Sequence, residues 1–310
     1  MRFLIAMMLA AAAAHADPAQ PLTNEQAEKI VPRANLSDLT DAQRGTFLAI
    51  ATDVYNYAGC TETLARCLGK DQRDPHALRM AELVKQLVRD GAQAGAATEM
   101  LEKYYNSFDP KNRQQVRSDN CPVLGSGPIA LVEFSDYQCP HCAVALQPLD
   151  QLVEKDRKGK VRLCSKFFPF ASHPRARVAA LCAEYARQHG KFWEMNGLLF
   201  ANQESLEDGD LKGYAKDLGL DGDQMLKQVY SGQLDEIVEK HVREGTIAGV
   251  DSTPTLFIDG RVNQLPVKQF YLDFSLDDEL AWQADSAWNP GAKAVAATPP
   301  ATKKVAKRNR

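Results

Sequence analysis

Leu131-Val132-Glu133-Phe134-Ser135-Asp136-Tyr137-Gln138-Cys139-Pro140-His141-Cys142 passes from an apolar run, through small and acidic residues, to two cysteines three positions apart. Apolar residues resume at Ala143, Val144, Ala145 and Leu146. The pattern predicts strand, turn and helix, with Cys139 at the helix N-terminus. Backbone N–H groups there are unpaired and carry partial positive charge. They favour a thiolate, which is the form that attacks disulfides. Cys142 lies one turn on, placed to close a ring with Cys139, and His141 adds a dipolar or cationic neighbour. A zinc half-site is a poorer reading, because no second CxxC or HxxxH follows at suitable spacing. A haem attachment site needs histidine at 143, which is Ala143. A structural disulfide would leave the strand-turn-helix placement unexplained.

Downstream, Gly249-Val250-Asp251-Ser252-Thr253-Pro254-Thr255-Leu256-Phe257-Ile258-Asp259-Gly260 reads as a turn, a proline and a strand. Proline is the residue at which a cis peptide bond is cheap. The two motifs together resemble the DsbA-like branch of the thioredoxin superfamily. The resemblance covers about residues 120 to 284, about half of the chain. It implies a thioredoxin fold of the α/β class and a cis Thr253–Pro254 bond facing the cysteines. It makes Cys139 and Cys142 the catalytic pair, with Pro140-His141 the dipeptide found in strongly oxidising members. In that family a buried glutamate six residues before the first cysteine helps to move the proton of the buried thiol. Glu133 holds that position, and Lys166 matches its lysine partner. The reading that rests on the residues alone is a surface glutamate on an edge strand. Thr253 and Pro254 are implied to pair with an extended substrate peptide.

The 310 residues exceed one small domain, and 45% apolar content supplies packed cores. Met1-Arg2, an apolar stretch through Ala10 and Ala14-His15-Ala16 predict a secretory signal peptide over residues 1–16. Export leads to an oxidising compartment, where disulfides persist; with the family resemblance, this points to a bacterial periplasm. The net charge of −3 gives no sign of a nucleic-acid partner.

Residues 17–39 read as a flexible leader, being polar and proline-bearing. Helical spacing then predicts a three-helix bundle over 40–110. Its first helix starts at a capping box of Thr40 and Gln43, its second carries Met80, Leu83, Val84 and Leu87, and its third ends before Pro110. The bundle looks like the periplasmic helical domain of CcmH-type cytochrome c maturation proteins, which also carry a cysteine pair between their first two helices. That family has two residues between its cysteines, whereas six separate Cys60 from Cys67. The residues leave a structural disulfide, a redox-active pair and free or metal-binding thiols all open at this point. A charged, aperiodic stretch over 111–120 reads as a linker, and 121–284 as the thioredoxin-like domain. Within it, about 173–247 is helical, a block that plain thioredoxin lacks and that implies a lid over one side of a peptide groove. Pro148 should kink the helix that follows Cys142, and Ser275 with Asp278 marks the start of a last helix. Residues 285–310, rich in Ala, Pro, Lys and Arg, read as a disordered basic tail.

Seven cysteines make an odd count, so one is left over. Cys182 falls on an apolar helical face with Val178, Leu181 and Tyr185 and reads as a core residue. Cys121 and Cys164 pair if the segment entering the domain lies beside the second strand. Structural disulfide candidates are therefore Cys60 with Cys67 and Cys121 with Cys164.

No metal, nucleotide or flavin motif appears, so no cofactor is expected. The expected activity is thiol–disulfide exchange, most simply oxidation of exported proteins bearing cysteines, with a membrane or soluble redox partner resetting Cys139–Cys142. The alternatives are a reductase or isomerase, an assembly factor that holds cysteine-bearing clients such as apocytochrome through the N-terminal bundle, and a metallochaperone. The oligomeric state has no signature in the chain.

Overall fold

A computed structural model describes residues 22–69, 74–286 and 288–289. The predicted signal peptide, the first residues of the leader and all but the start of the basic tail lie outside them. The chain divides into two compact units, Met1–Glu102 and Lys103–Arg310.

The first unit holds α1 (Asn24–Ile30), α2 (Asp41–Asp53), α3 (Leu64–Gly69), α4 (Pro75–Arg89) and most of α5 (Ala94–Asn106). Among the described residues four of these, α2 to α5, thus stand over 40–110, where three were expected, and α1 lies in the expected leader. The expected flexible leader is instead folded. Thr23 and Gln26 form a capping box at α1, and Ala27, Val31, Ala34, Leu36 and Leu39 are buried. Arg44 on α2 secures this segment by donating to the carbonyls of Leu22, Leu36 and Leu39. Most of its few apolar residues face inward, Ile30 excepted, and average polarity hides that packing. Between α2 and α4 the chain folds back through a Tyr55–Thr63 bridge, and Cys60 and Cys67 are joined by a disulfide with Cα atoms 5.9 Å apart. Asp74 caps α4 by accepting from His76 and Ala77 N–H groups, with Pro75 at the first helical position.

The second unit is built on a five-stranded sheet in the order β1-β3-β2-β4-β5, comprising β1 (Val123–Gly125), β2 (Ile129–Ser135), β3 (Val161–Phe167), β4 (Thr255–Ile258) and β5 (Arg261–Val262). β2 and β3 run parallel, and the other neighbours are antiparallel. The parallel pair needs a crossover, supplied by α6 (Pro140–Gln151) and a π-helical turn over Leu152–Asp156. Pro148 lies inside α6 just before that turn. It removes one i→i−4 hydrogen bond, a recognised cause of helix irregularity. Gly127 is required where the chain passes β3, because a Cβ there would come within 2.0 Å of the Lys160–Val161 backbone.

Alternation along the central strands sends side chains to two faces. Leu131, Leu163, Leu256 and Ile258 pack with Ala145 and Leu149 of α6 and with Leu272 and Leu276 of α12 (Gln269–Ala284). On the other face Val132, Phe134, Cys164, Phe168 and Phe257 form a second core. The expected helical insertion is α7 (Ala176–Gln188), α8 (Phe192–Ala201), α9 (Asp208–Asp217), α10 (Gly222–Ser231) and α11 (Asp235–Ile247). These helices enclose a third core, which includes Cys139, Cys142 and the fully buried Cys182. α12 starts before the expected Ser275–Asp278 signal. Those two residues are buried in mid-helix, where Asp278 accepts from the Tyr104 hydroxyl at 2.8 Å.

The stretch 111–120 is no free linker. Arg113 pairs with buried Glu279 at 2.9 Å, and the Gln114 N–H donates to Gly260 at 2.7 Å. Buried Arg261 likewise binds Glu279 at 3.1 Å and stacks on Phe108. Charge concealed the packing here, because the charged groups are themselves what the fold buries in pairs.

A disulfide joins Cys121 to Cys164, across 43 positions, and so ties the segment just before β1 to β3. Replacing both by alanine is expected to lower the unfolding free energy by about 2–4 kcal/mol, and replacing Cys60 and Cys67 by less, because the loop they close is shorter. Urea midpoints of the two double variants measure the difference; equal losses would contradict it. Among the described residues no helix is long and apolar enough to cross a membrane.

Candidate active site

Cys139 occupies the N-cap of α6, with Pro140 at its first position. Its backbone is extended (φ −79°, ψ 117°), so the chain turns from β2 into the helix at the cysteine itself. Cys139 and Cys142 are both free thiols. Cys142 is fully buried, whereas Cys139 keeps 6% of its surface and sits between the exposed Pro140 and the half-buried Gln138. His141 is also exposed. The Thr253–Pro254 peptide is cis, and the Cys139 Sγ–H donates to the Thr253 carbonyl at 3.2 Å. Two motifs more than a hundred residues apart therefore meet at one sulfur.

Glu133 lies on the α6 face of β2, buried beneath the helix that carries Cys142. Burial, and then the neighbouring carboxyl of Asp150, push its pKa up to about 7. Burial also pushes the Cys142 thiol well above the usual thiol range, and the Glu133 charge adds to the effect. The Ser135 hydroxyl is buried without a well-formed hydrogen bond; it favours the charged forms of both groups. The arrangement keeps Cys142 protonated and leaves Glu133 able to gain or lose a proton near neutrality.

Lys166 does not join this group. In the β2–β3 register Glu133 stands opposite Ser165, and Lys166 opposite Phe134. Successive side chains point to opposite faces, so Lys166 lies across the sheet from Glu133. There its buried Nζ pairs with Glu244 and donates to Asn120 at 2.8 Å, 5.8 Å from the Phe134 ring. The expected Glu133–Lys166 partnership is thus replaced by a Lys166–Glu244 pair. Lys166→Met should lower stability by roughly 1–3 kcal/mol by leaving Glu244 without its cation. It should leave the pH profile of thiol exchange unchanged; a shifted profile would restore Lys166 to the proton path.

Several site residues had no signal in the sequence. The carboxylate of Asp136, fully buried, accepts from the N–H groups of Gln138 and Phe170 at 2.7 and 2.8 Å and lies 2.8 Å from His173 Nδ1. It fixes the turn leading into Cys139. Gln203, 64 positions downstream, donates to the carbonyl of Cys139. Cys182, pushed up to about 12 by burial, stays a thiol in the helical core. No cluster of side chains suited to a metal ion occurs among the described residues.

A mixed sheet, a dithiol at the start of the first crossover helix and a cis proline facing it define a thioredoxin-type protein. The chain belongs to the thioredoxin family, whose sequence model, described as thioredoxin, matches residues 124–278. The oxidised crystal structure of BdbD from Bacillus subtilis superposes with a TM-score of 0.50 at 25% identity, covering 54% of this chain and 97% of that one. A thioredoxin-like oxidoreductase from Silicibacter pomeroyi DSS-3 gives 0.47 at 26% identity, covering 58% and 96%. In sequence, 140 residues are 34% identical to a protein named Na(+)/H(+) antiporter NhaA 3 from Salinispora tropica, covering 45% of this chain and 21% of that protein. The chain spans about a fifth of the length of the antiporters it matches.

Proposed function

We propose that this protein catalyses thiol–disulfide exchange through Cys139 and Cys142, in the oxidising direction, on proteins exported to a periplasm. The observation that carries the reading is the pairing of a Cys139 sulfur, set against the cis Thr253–Pro254 carbonyl, with a fully buried Cys142 beside Glu133. In the disulfide form, a substrate thiolate attacks Cys139 Sγ and the Cys139–Cys142 bond breaks. The electron pair goes to Cys142, whose burial makes a lasting thiolate costly. Protonated Glu133 is placed to supply the proton. A second substrate thiolate then attacks the substrate sulfur of the mixed disulfide. Cys139 leaves as a thiolate at the helix N-terminus, where backbone N–H groups favour it. Two substrate thiols become one disulfide, and the enzyme disulfide becomes two thiols.

The DsbA-like family supports the direction, as do the Pro140-His141 dipeptide and the exposure of His141 beside the reacting sulfur. The residues before Asp17 support export, as do two disulfides outside the active site. Clients are proteins with cysteine thiols, and a separate redox partner reoxidises the dithiol. The test is oxidative refolding of a reduced, unfolded protein. Catalytic amounts of the oxidised protein should speed disulfide formation in a glutathione buffer. Faster disulfide reduction with no gain in oxidation would overturn the direction, and neither would overturn the activity.

A further inference from the structure

The turn that presents Cys139 is held from the helical insertion at three consecutive residues. The Tyr137 hydroxyl donates to Asn196 on α8 at 2.8 Å. Gln138 Oε1 accepts from the Arg175 N–H at 2.6 Å, just before α7. Gln203, in the loop between α8 and α9, donates Nε2 to the carbonyls of both Tyr137 and Cys139, each at 2.8 Å. The Cys139 carbonyl also takes the N–H of Cys142 at 3.1 Å, the bond that closes the first turn of α6.

We propose that Gln203 is a positioning residue that sets the redox equilibrium of the Cys139–Cys142 pair, an inference resting on the oxidoreductase reading above. The structure holds both cysteines as thiols, so the contacts in it belong to the reduced form. A carbonyl oxygen carries partial negative charge. An amide donor 2.8 Å from the Cys139 carbonyl draws on that charge and lessens its repulsion of negative charge on the adjoining sulfur. The same amide, anchored in the insertion, fixes the backbone on either side of Gln138, so the first turn of α6 keeps the shape of the dithiol form. Both effects favour the reduced form, which makes the disulfide more oxidising. The insertion thereby acts on the redox pair through one side chain, without touching a sulfur atom.

The reaction to follow is transfer of two electrons from the protein dithiol to oxidised glutathione, giving the protein disulfide and two reduced glutathiones. Its equilibrium constant is read by alkylating free thiols across a series of glutathione ratios. Gln203→Ala should shift it about tenfold towards the protein disulfide, equivalent to about 30 mV for a two-electron couple. Gln203→Glu, which puts acceptor oxygens against two carbonyls, should shift it further in the same direction. If alanine does not fold, Gln203→Met keeps the length, loses the donor and carries the same expectation. A purely structural role would lower the melting temperatures of the oxidised and reduced forms alike and leave the constant unmoved. Folded variants within twofold of the parent constant overturn the inference alone. A parent protein that forms no Cys139–Cys142 disulfide in glutathione overturns the oxidoreductase reading and this inference together.

Discussion

Replacing Cys139 by serine is expected to reduce catalysed thiol exchange to the background rate of glutathione itself. Cys139 is the half of the pair that retains exposed surface, and its sulfur lies against the cis Thr253–Pro254 carbonyl. Cys142 has no route to a client, because it is fully buried on the inner side of the first turn of α6. The complementary variant, Cys142→Ser, should behave differently. Its Cys139 still forms mixed disulfides, but no internal thiol can release them, so covalent complexes with clients should accumulate. Non-reducing gels of the two variants after incubation with a reduced client and an oxidant separate the roles. Complexes with Cys139→Ser and none with Cys142→Ser would reverse the assignment.

Glu133→Gln is the second large effect, and it has two readouts. In exchange, protonated Glu133 meets the charge that develops on buried Cys142 when the internal disulfide opens. General acids of this kind contribute roughly 10²-fold or more, so the variant should slow mixed-disulfide formation by about that factor. It should also lose the inflection near pH 7 that the raised Glu133 pKa imposes on the parent. A variant with parental rate and profile would remove Glu133 from the chemistry.

The stability readout follows from linkage. Folded Glu133 keeps its proton up to about pH 7, whereas an unfolded glutamate releases it near 4.5. Between those values the folded state binds more protons, so its stability falls as pH rises, by roughly 3 kcal/mol across the window. Glutamine does not titrate. The stability of Glu133→Gln relative to the parent should therefore increase from pH 4.5 to 7 and then level off. His241 works the other way: burial pushes it down to about 4, so stability is gained as pH rises from there to 6.5. In the parent the two slopes oppose. In Glu133→Gln the His241 rise should stand exposed, and urea unfolding at half-unit pH steps would show it.

What the chain revealed before its structure was known depended on whether a feature is local. Residues 131–142 encode strand, turn and helix in one continuous pattern, and the proline of 249–260 sits at the mouth of a strand. Both places carry their own geometry, and together they were enough to indicate the thioredoxin fold. Lys166 shows where such a reading stops. Its face depends on the register of β3 against β2, and a slip of one residue exchanges the two faces of a sheet. Nothing in residues 161–167 alone states that Ser165, and not Lys166, stands opposite Glu133. Gln203 and Asp136 were silent for a related reason. Each acts through backbone groups, which every residue possesses, so no residue type at the partner position announces the bond. The packing of 24–39, within the expected leader over 17–39, and of 111–120 is hidden because composition averages over both sides of a chain. A few groups, buried Ala27 and Leu36 in one and half-buried Arg113 in the other, decide the packing.

The most direct measurement is the reduction potential of the Cys139–Cys142 pair, taken against glutathione with Cys60 and Cys67 replaced by serine, so that two other thiols do not enter the count. The expected result is a single two-electron couple well above the glutathione range, towards the value of about −120 mV typical of strong DsbA-type oxidants. A potential near the −270 mV or so of thioredoxin would contradict the oxidising role and make the protein a reductase.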